Sequence, residues 1–146
     1  MNHPDLVRAL ERVSVGTVGL TARALSQAVH GLELTLPQWR ALLIAGEEPD
    51  GTRIGAVATR VGTTVPATSR LLRRLERRGF VALVPDADDG RATRAKLTSK
   101  GSEVRDAIIR FRREGLELVA RKVREMDDPS LERGLAAIAS ELGAFA

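Results

Sequence analysis

Five arginines fall within the nine residues from Arg70 to Arg78, in the segment VPATSRLLRRLERRGFV. Arg70, Arg73, Arg74 and Arg77 follow the i, i+3, i+4, i+7 spacing of one helix face. Guanidinium groups on such a stripe can make paired hydrogen bonds to phosphate or to the O6/N7 edge of guanine. On a 100° wheel, Pro66, Ser69, Arg70, Arg73 and Arg77 share one side, and Ala67, Leu71, Leu72 and Leu75 share the other. The second set predicts a buried face, the first a face open to a groove. A charge run of this kind can also simply solvate an amphipathic helix, so the neighbouring elements must decide.

Those neighbours are a short helix, Ile54–Val61, stopped by Gly62, and a threonine pair, Thr63-Thr64, that caps the arginine helix with Pro66 in its first turn. Gly79 ends that helix. Phe80–Val84, Asp86–Arg94 and Ala95–Leu97 then read as strand, loop and returning strand. The order is a helix-turn-helix followed by a hairpin wing, which points to duplex DNA. Between Gly51 and Lys96, ten Arg or Lys stand against four acids, or +6, whereas the whole chain carries +4. The rest is therefore −2, and the positive charge is concentrated where the helix-turn-helix lies.

On this reading, Pro66, Ser69, Arg70 and Arg73 face the bases, near the helix N-terminus. Thr63 and Thr64 donate to phosphate. Arg74, Arg77 and Arg78, further along, meet the backbone and set affinity rather than sequence choice.

The flanking sequence predicts helices that must position this module. Asp5–His30 carries an apolar stripe of Leu6, Leu10, Val13, Thr17, Leu20, Ala24 and Ala28, with Gly31 as the stop. Thr35 or Leu36 caps the next helix, which has Pro37 in its first turn and ends near Gly46. Glu47–Thr52 is a turn by composition. Thr98 or Ser99 opens a long helix bearing Val104, Ala107, Ile108, Phe111, Leu118 and Val123. Asp128-Pro129 opens the last, with Leu131, Leu135, Ile138, Leu142 and Phe145. These stripes exceed what a small DNA module can cover, which predicts a helical layer shared between two copies of the chain.

Other function classes are poorly supplied. The 146 residues contain no cysteine, which excludes disulfides and thiolate metal sites. Val13–Ala22, the longest uncharged stretch, is about half of the ~20 residues a membrane helix needs, and the charged N-terminus does not resemble a secretory signal. A cytoplasmic, nucleoid-associated protein is expected. The two histidines, His3 and His30, have no partner spacing for metal or a catalytic triad. Asp86, Asp88 and Asp89, flanked by Pro85 and Gly90, read as a turn rather than a cation site. No catalytic residue, cofactor or enzyme activity is expected.

The strings LTLPQWRALL (34–43), VATRVGTTVPATSRLLRRLERRGFV (57–81), DADDGRATR (86–94) and LTSKG (97–101), in this order, resemble the MarR family of bacterial transcription regulators over nearly the whole chain. The resemblance implies a single domain, residues 1–146, mainly α with a small β-hairpin wing. Residues 35–97 would form the DNA-binding winged helix-turn-helix, and 4–31 and 98–146 the dimerisation helices. It further implies a homodimer on a near-palindromic operator, with repression as the expected outcome. Release would follow when a small, often aromatic or phenolic effector enters the cleft between the two parts. His30, Trp39 and Phe111 come from helices bordering that cleft and are the effector-binding candidates, although Trp39 also reads as a core anchor and His30 as a solvated helix end.

One position departs from the family pattern. Where the wing often reads D-x-R-D-x-R, this chain has Asp86-Ala87-Asp88-Asp89-Gly90-Arg91, so Asp88 replaces the first arginine. Arg91 and Arg94 are both DNA-binding candidates; the alternative is that Arg91 pairs with an aspartate to stiffen the loop, leaving Arg94 or no residue for the minor groove. Asp88 also keeps open a winged-helix protein-interaction module or a non-specific architectural DNA-binding protein.

Overall fold

The computed structural model describes residues 3–143, so the expectation for Phe145 lies outside them. The order is α1 (His3–Gln27), α2 (Leu36–Ala45), β1 (Thr52–Arg53), α3 (Ile54–Val61), α4 (Val65–Arg77), β2 (Val81–Pro85), β3 (Thr93–Leu97), α5 (Ser99–Glu125) and α6 (Pro129–Gly143). The chain divides into two compact units, Met1–Phe111 and Arg112–Ala146. No helix among the described residues is long and apolar enough to cross a membrane.

The helix boundaries follow from local chemistry. Thr35 caps α2 by accepting from the Gln38 amide, while the Gln38 side chain accepts from the Thr35 amide. This reciprocal box satisfies two donors that a helix start leaves free. Gly62 is left-handed, φ +78°, and sends its N–H back to the Ala58 and Thr59 carbonyls. That conformation reverses the chain tightly enough for α4 to cross α3. Several ends differ from the prediction: α1 begins at His3, two residues before Asp5, and β3 begins at Thr93 rather than Ala95. α1 stops at Gln27, three residues early, which leaves His30 in the following turn; β2 is shifted one residue toward Pro85.

The sheet has three strands, not the two expected, in the order β1-β3-β2 and antiparallel throughout. The added strand is Thr52–Arg53, paired Thr52↔Ala95 and Arg53↔Arg94. Its two residues are too short for alternation to show and sit behind the turn-forming EEPDG. It ties the base of the wing to the helix-turn-helix.

Inside the first unit, Trp39, Leu42, Val57, Leu72, Leu75, Phe80, Val81, Val104 and Ile108 form one buried cluster. Leu72 and Leu75 seat the underside of α4; fully burying each contributes about 2 kcal/mol. Trp39 is 2% exposed and anchors the core. Ala67 and Leu71 are half-buried, in keeping with the predicted face.

The outward sides of the long helices are different. Val13, Val15 and Val18 of α1 are exposed. In the second unit Leu118, Val119, Leu135 and Leu142 are exposed too, and α6 buries no residue. Asp128 opens α6 through its Oδ1, which accepts from the Ser130 amide at 2.8 Å; hydrogen bonding from Ser130 holds its carboxyl below the usual range.

Candidate nucleic-acid interface

The Thr64 hydroxyl oxygen accepts from the Ala67 amide and fixes the start of α4. Its own O–H remains available as a donor. The Thr63 amide is already committed to the Ala58 carbonyl, at 3.0 Å, so only its exposed side chain can serve a phosphate. Pro66, Arg70, Arg73, Arg74 and Arg77 are all exposed and Ser69 is half-buried. Thr64→Ala is expected to destabilise the domain by about 1 kcal/mol, the usual cost of losing an N-cap side chain, as measured by urea denaturation. An unchanged midpoint would deny the cap any role.

Arg78 belongs to a different group. It is half-buried, donates to the Glu33 carbonyl at 3.1 Å and lies 5.0 Å over the Phe80 ring. Lys100 covers the same ring at 4.9 Å and donates to the Arg78 carbonyl. The expected backbone contact from Arg78 is thus corrected: this arginine ties the end of α4 to the turn before α2. Glu76, one of the four acids in the basic segment, accepts from the Leu83 amide at 3.0 Å and joins α4 to β2.

At the base of the wing, Asp86 is a buried knot. Its side chain is 0% exposed and accepts from Arg53 Nε and Nη2 at 2.8 and 2.9 Å and from Arg94 Nε at 2.6 Å. The amides of Asp88 and Asp89 also donate to it, both at 3.0 Å. Arg94 Nη1 reaches the Gly51 carbonyl at 2.7 Å. These bonds, those from Arg53 and Arg94 foremost, hold the Asp86 carboxyl far below the ordinary carboxylate range.

The expected roles of Arg91 and Arg94 are therefore exchanged. Arg53 and Arg94 make the ion pair, because both lie on strands that converge on Asp86. Arg91 sits on the exposed loop with only its amide bonded, to Asp89 Oδ1. It is Arg91, not Arg94, that is placed to reach outward. Arg53, which pattern reasoning passed over, is the third member. Its signal was the pairing across β1 and β3, invisible without the sheet.

A pH prediction follows from the knot. Asp86 has a folded pKa lowered from 3.8, so its contribution is fully present above about pH 4 and disappears as pH falls below that value. Asp86→Asn is expected to be less stable than wild type at pH 7, with the gap narrowing as pH falls below 4. Thermal melts at pH 7 and below pH 4 check this, and a constant gap would contradict it.

The effector candidates do not converge. His30 is exposed in a turn, Trp39 is buried in the core, and Phe111 is half-buried against it. A separate groove of about 590 Å³ lies along α1 and the start of α2, lined by Val18, Leu25, Glu33, Leu36, Gln38 and Arg78 among others. None of the three candidates lines it. Its residues escaped notice because they come from an exposed helix face and a turn.

Residues 30–92 match the model of the MarR family. The HTH-type transcriptional repressor IacR of Pseudomonas putida is 23% identical over 115 residues, which cover 79% of this chain and 66% of that protein. The crystal structure of RV1404 from Mycobacterium tuberculosis superposes with a TM-score of 0.81 at 24% identity, covering 98% of this chain and 96% of that one. Streptococcus pneumoniae FabT, crystallised in complex with DNA, gives a TM-score of 0.80 at 18% identity, covering 99% and 100%. The match to the MarR family model spans the helix-turn-helix and the wing loop, and the fold is shared with these solved structures, so the chain is similar to the MarR family of transcription regulators.

Proposed function

We propose that the protein is a homodimeric, sequence-specific repressor that reads a near-palindromic operator with α4 in the major groove and is released by a small molecule. The observation that carries this reading is the exposed arginine face of α4, set on a rigid buried underside. Pro66, Ser69 and Arg70, with Thr63 and Thr64, lie toward its N-terminal half, where a helix in the major groove reaches base edges, and Arg73 follows on the same face just past the middle. Arg74 and Arg77 meet the backbone beyond them. Its DNA target places the protein in the cytoplasm, at the nucleoid.

The exposed apolar stripes of α1 and of the second unit supply the dimer surface, as segments 4–31 and 98–146 would require. FabT was crystallised with DNA, and IacR is a repressor. For release, the 590 Å³ groove is large enough for a small aromatic molecule and has a mostly apolar wall.

Selection of bound duplexes from a random pool at near-physiological salt tests the proposal. A recovered palindrome with half-sites about 10 bp apart supports it. Retained binding without enrichment points to an architectural protein instead, and no binding points to a protein-interaction module.

A further inference from the structure

A second cleft, of about 470 Å³, lies between the start of α3, the start of α4 and the wing. Arg53, Ile54, Val65, Ser69, Arg91 and Thr93 are among its walls, which include two guanidinium groups and no carboxylate. The groove along α1 differs, since there Glu33 faces the same space as Arg78.

Arg53 is held rather than loose. Asp86 engages its Nε and Nη2, while its side chain stays 47% exposed. Among the described residues, Nη1 makes no hydrogen bond in this arrangement. Asp86 itself is fixed by Arg94 and two backbone amides and cannot follow Arg53 outward. Two arginines share one carboxylate, so the knot keeps a charge of +1. Arg91 adds another, on the wing side of the cleft.

The geometry of duplex DNA says what must enter. A major groove and the neighbouring minor groove are separated by a single sugar–phosphate strand. If α4 occupies the first and the wing approaches the second, that strand has to cross the space between them. We propose that this cleft seats one backbone phosphate per half-site, with Arg53 Nη1 and Arg91 as its donors and Asp86 as the residue that positions Arg53. Val65 and Thr93 line the rest of the cleft, beside Ser69 at the edge of the base-facing side of α4. The inference rests on the DNA-binding reading and adds to it a contact outside the recognition helix, made by a residue of β1.

The test replaces single phosphates of the selected operator by neutral methylphosphonates, one at a time. Wild type, Arg53→Gln and Arg91→Gln are each titrated against the set. In the wild type, one phosphate per half-site is expected to cost several-fold in affinity when neutralised. Both variants should lose most of that sensitivity at that phosphate and keep it elsewhere. Their log–log salt slopes should each fall by about 0.9 per half-site. Arg91→Gln leaves the Asp86 knot intact, so it decides the matter even where Arg53→Gln loosens the fold. If wild type binds and both variants keep the full methylphosphonate pattern, the seat is overturned while the DNA reading stands. If wild type binds no duplex, the DNA reading falls and the seat with it.

Discussion

Gly101→Ala is expected to lower the unfolding free energy by about 3 kcal/mol, the upper part of the range for forcing atoms into a filled site. A Cβ at this position would lie 1.9 Å from the Phe80 carbonyl oxygen and 2.9 Å from its carbon, both backbone atoms. The Leu97 Cδ2 at 3.1 Å could turn aside, but the two backbone atoms cannot. The first turn of α5 and the start of β2 would have to separate, and that contact is secured twice. The Thr98 amide donates to the same Phe80 carbonyl at 3.2 Å, and the Thr98 hydroxyl donates to the Gly79 carbonyl at 2.6 Å.

Trp39, the single tryptophan, is buried in the cluster that contains Phe80, so its fluorescence reports the transition directly in urea. Gly16→Ala is the matched control. Gly16 is exposed within α1 with open space where its Cβ would stand, and alanine there should stabilise by about 0.5–1 kcal/mol. Equal midpoints for wild type and Gly101→Ala would show that α5 can shift without cost.

Arg70→Ala is expected to lose affinity for the selected operator by roughly tenfold to a hundredfold, while binding to a scrambled duplex changes little. The reasoning is positional. Arg70 is exposed on the N-terminal half of α4, nearly two turns beyond the Thr64 cap, and a bidentate contact to guanine discriminates by about 1–3 kcal/mol. Arg77, two turns further along, is expected to serve phosphates, so Arg77→Ala should weaken both duplexes alike. Competition titrations of both variants on both duplexes separate the roles. Equal losses on the two duplexes for Arg70→Ala would remove it from the base-reading set.

How far the sequence could be read depended on the range of each interaction. The helices are encoded by neighbours three and four apart, and the caps at Thr35, Gly62, Thr64 and Thr98 are chemistry within a single turn. Those features stood in the sequence and are found in the structure. The wing hairpin and the flanking helices, read from local pattern, are found as β2–β3, α1, α5 and α6.

Contacts across long gaps were not visible. Arg53 and Asp86 are thirty-three positions apart, and nothing periodic connects them. Hence β1 was read as part of a turn and Asp86 as loop, although its side chain is fully buried. The partners of Arg91 and Arg94 were exchanged for the same reason. Counting charges cannot say which arginine a buried carboxylate will choose; the strand register does. Arg78 shows the same limit, since its attachment to Glu33 spans forty-five positions.

The attachments between α4 and the wing have a consequence for how an operator is told from other DNA. Glu76 binds the β2 edge, the Phe80 amide binds the Leu75 carbonyl, and Asp86 locks both wing strands' ends to β1. The distance from α4 to the base of the wing is therefore held by the protein's own bonds. Any mismatch with the local width of the minor groove must be taken up by bending or narrowing the duplex, and the energy of that deformation depends on base steps no side chain touches. Sequence preference should extend into the flanks beside each half-site, where stiff and flexible steps differ, and where the repulsion at Asp88 favours a wider, less negative minor groove.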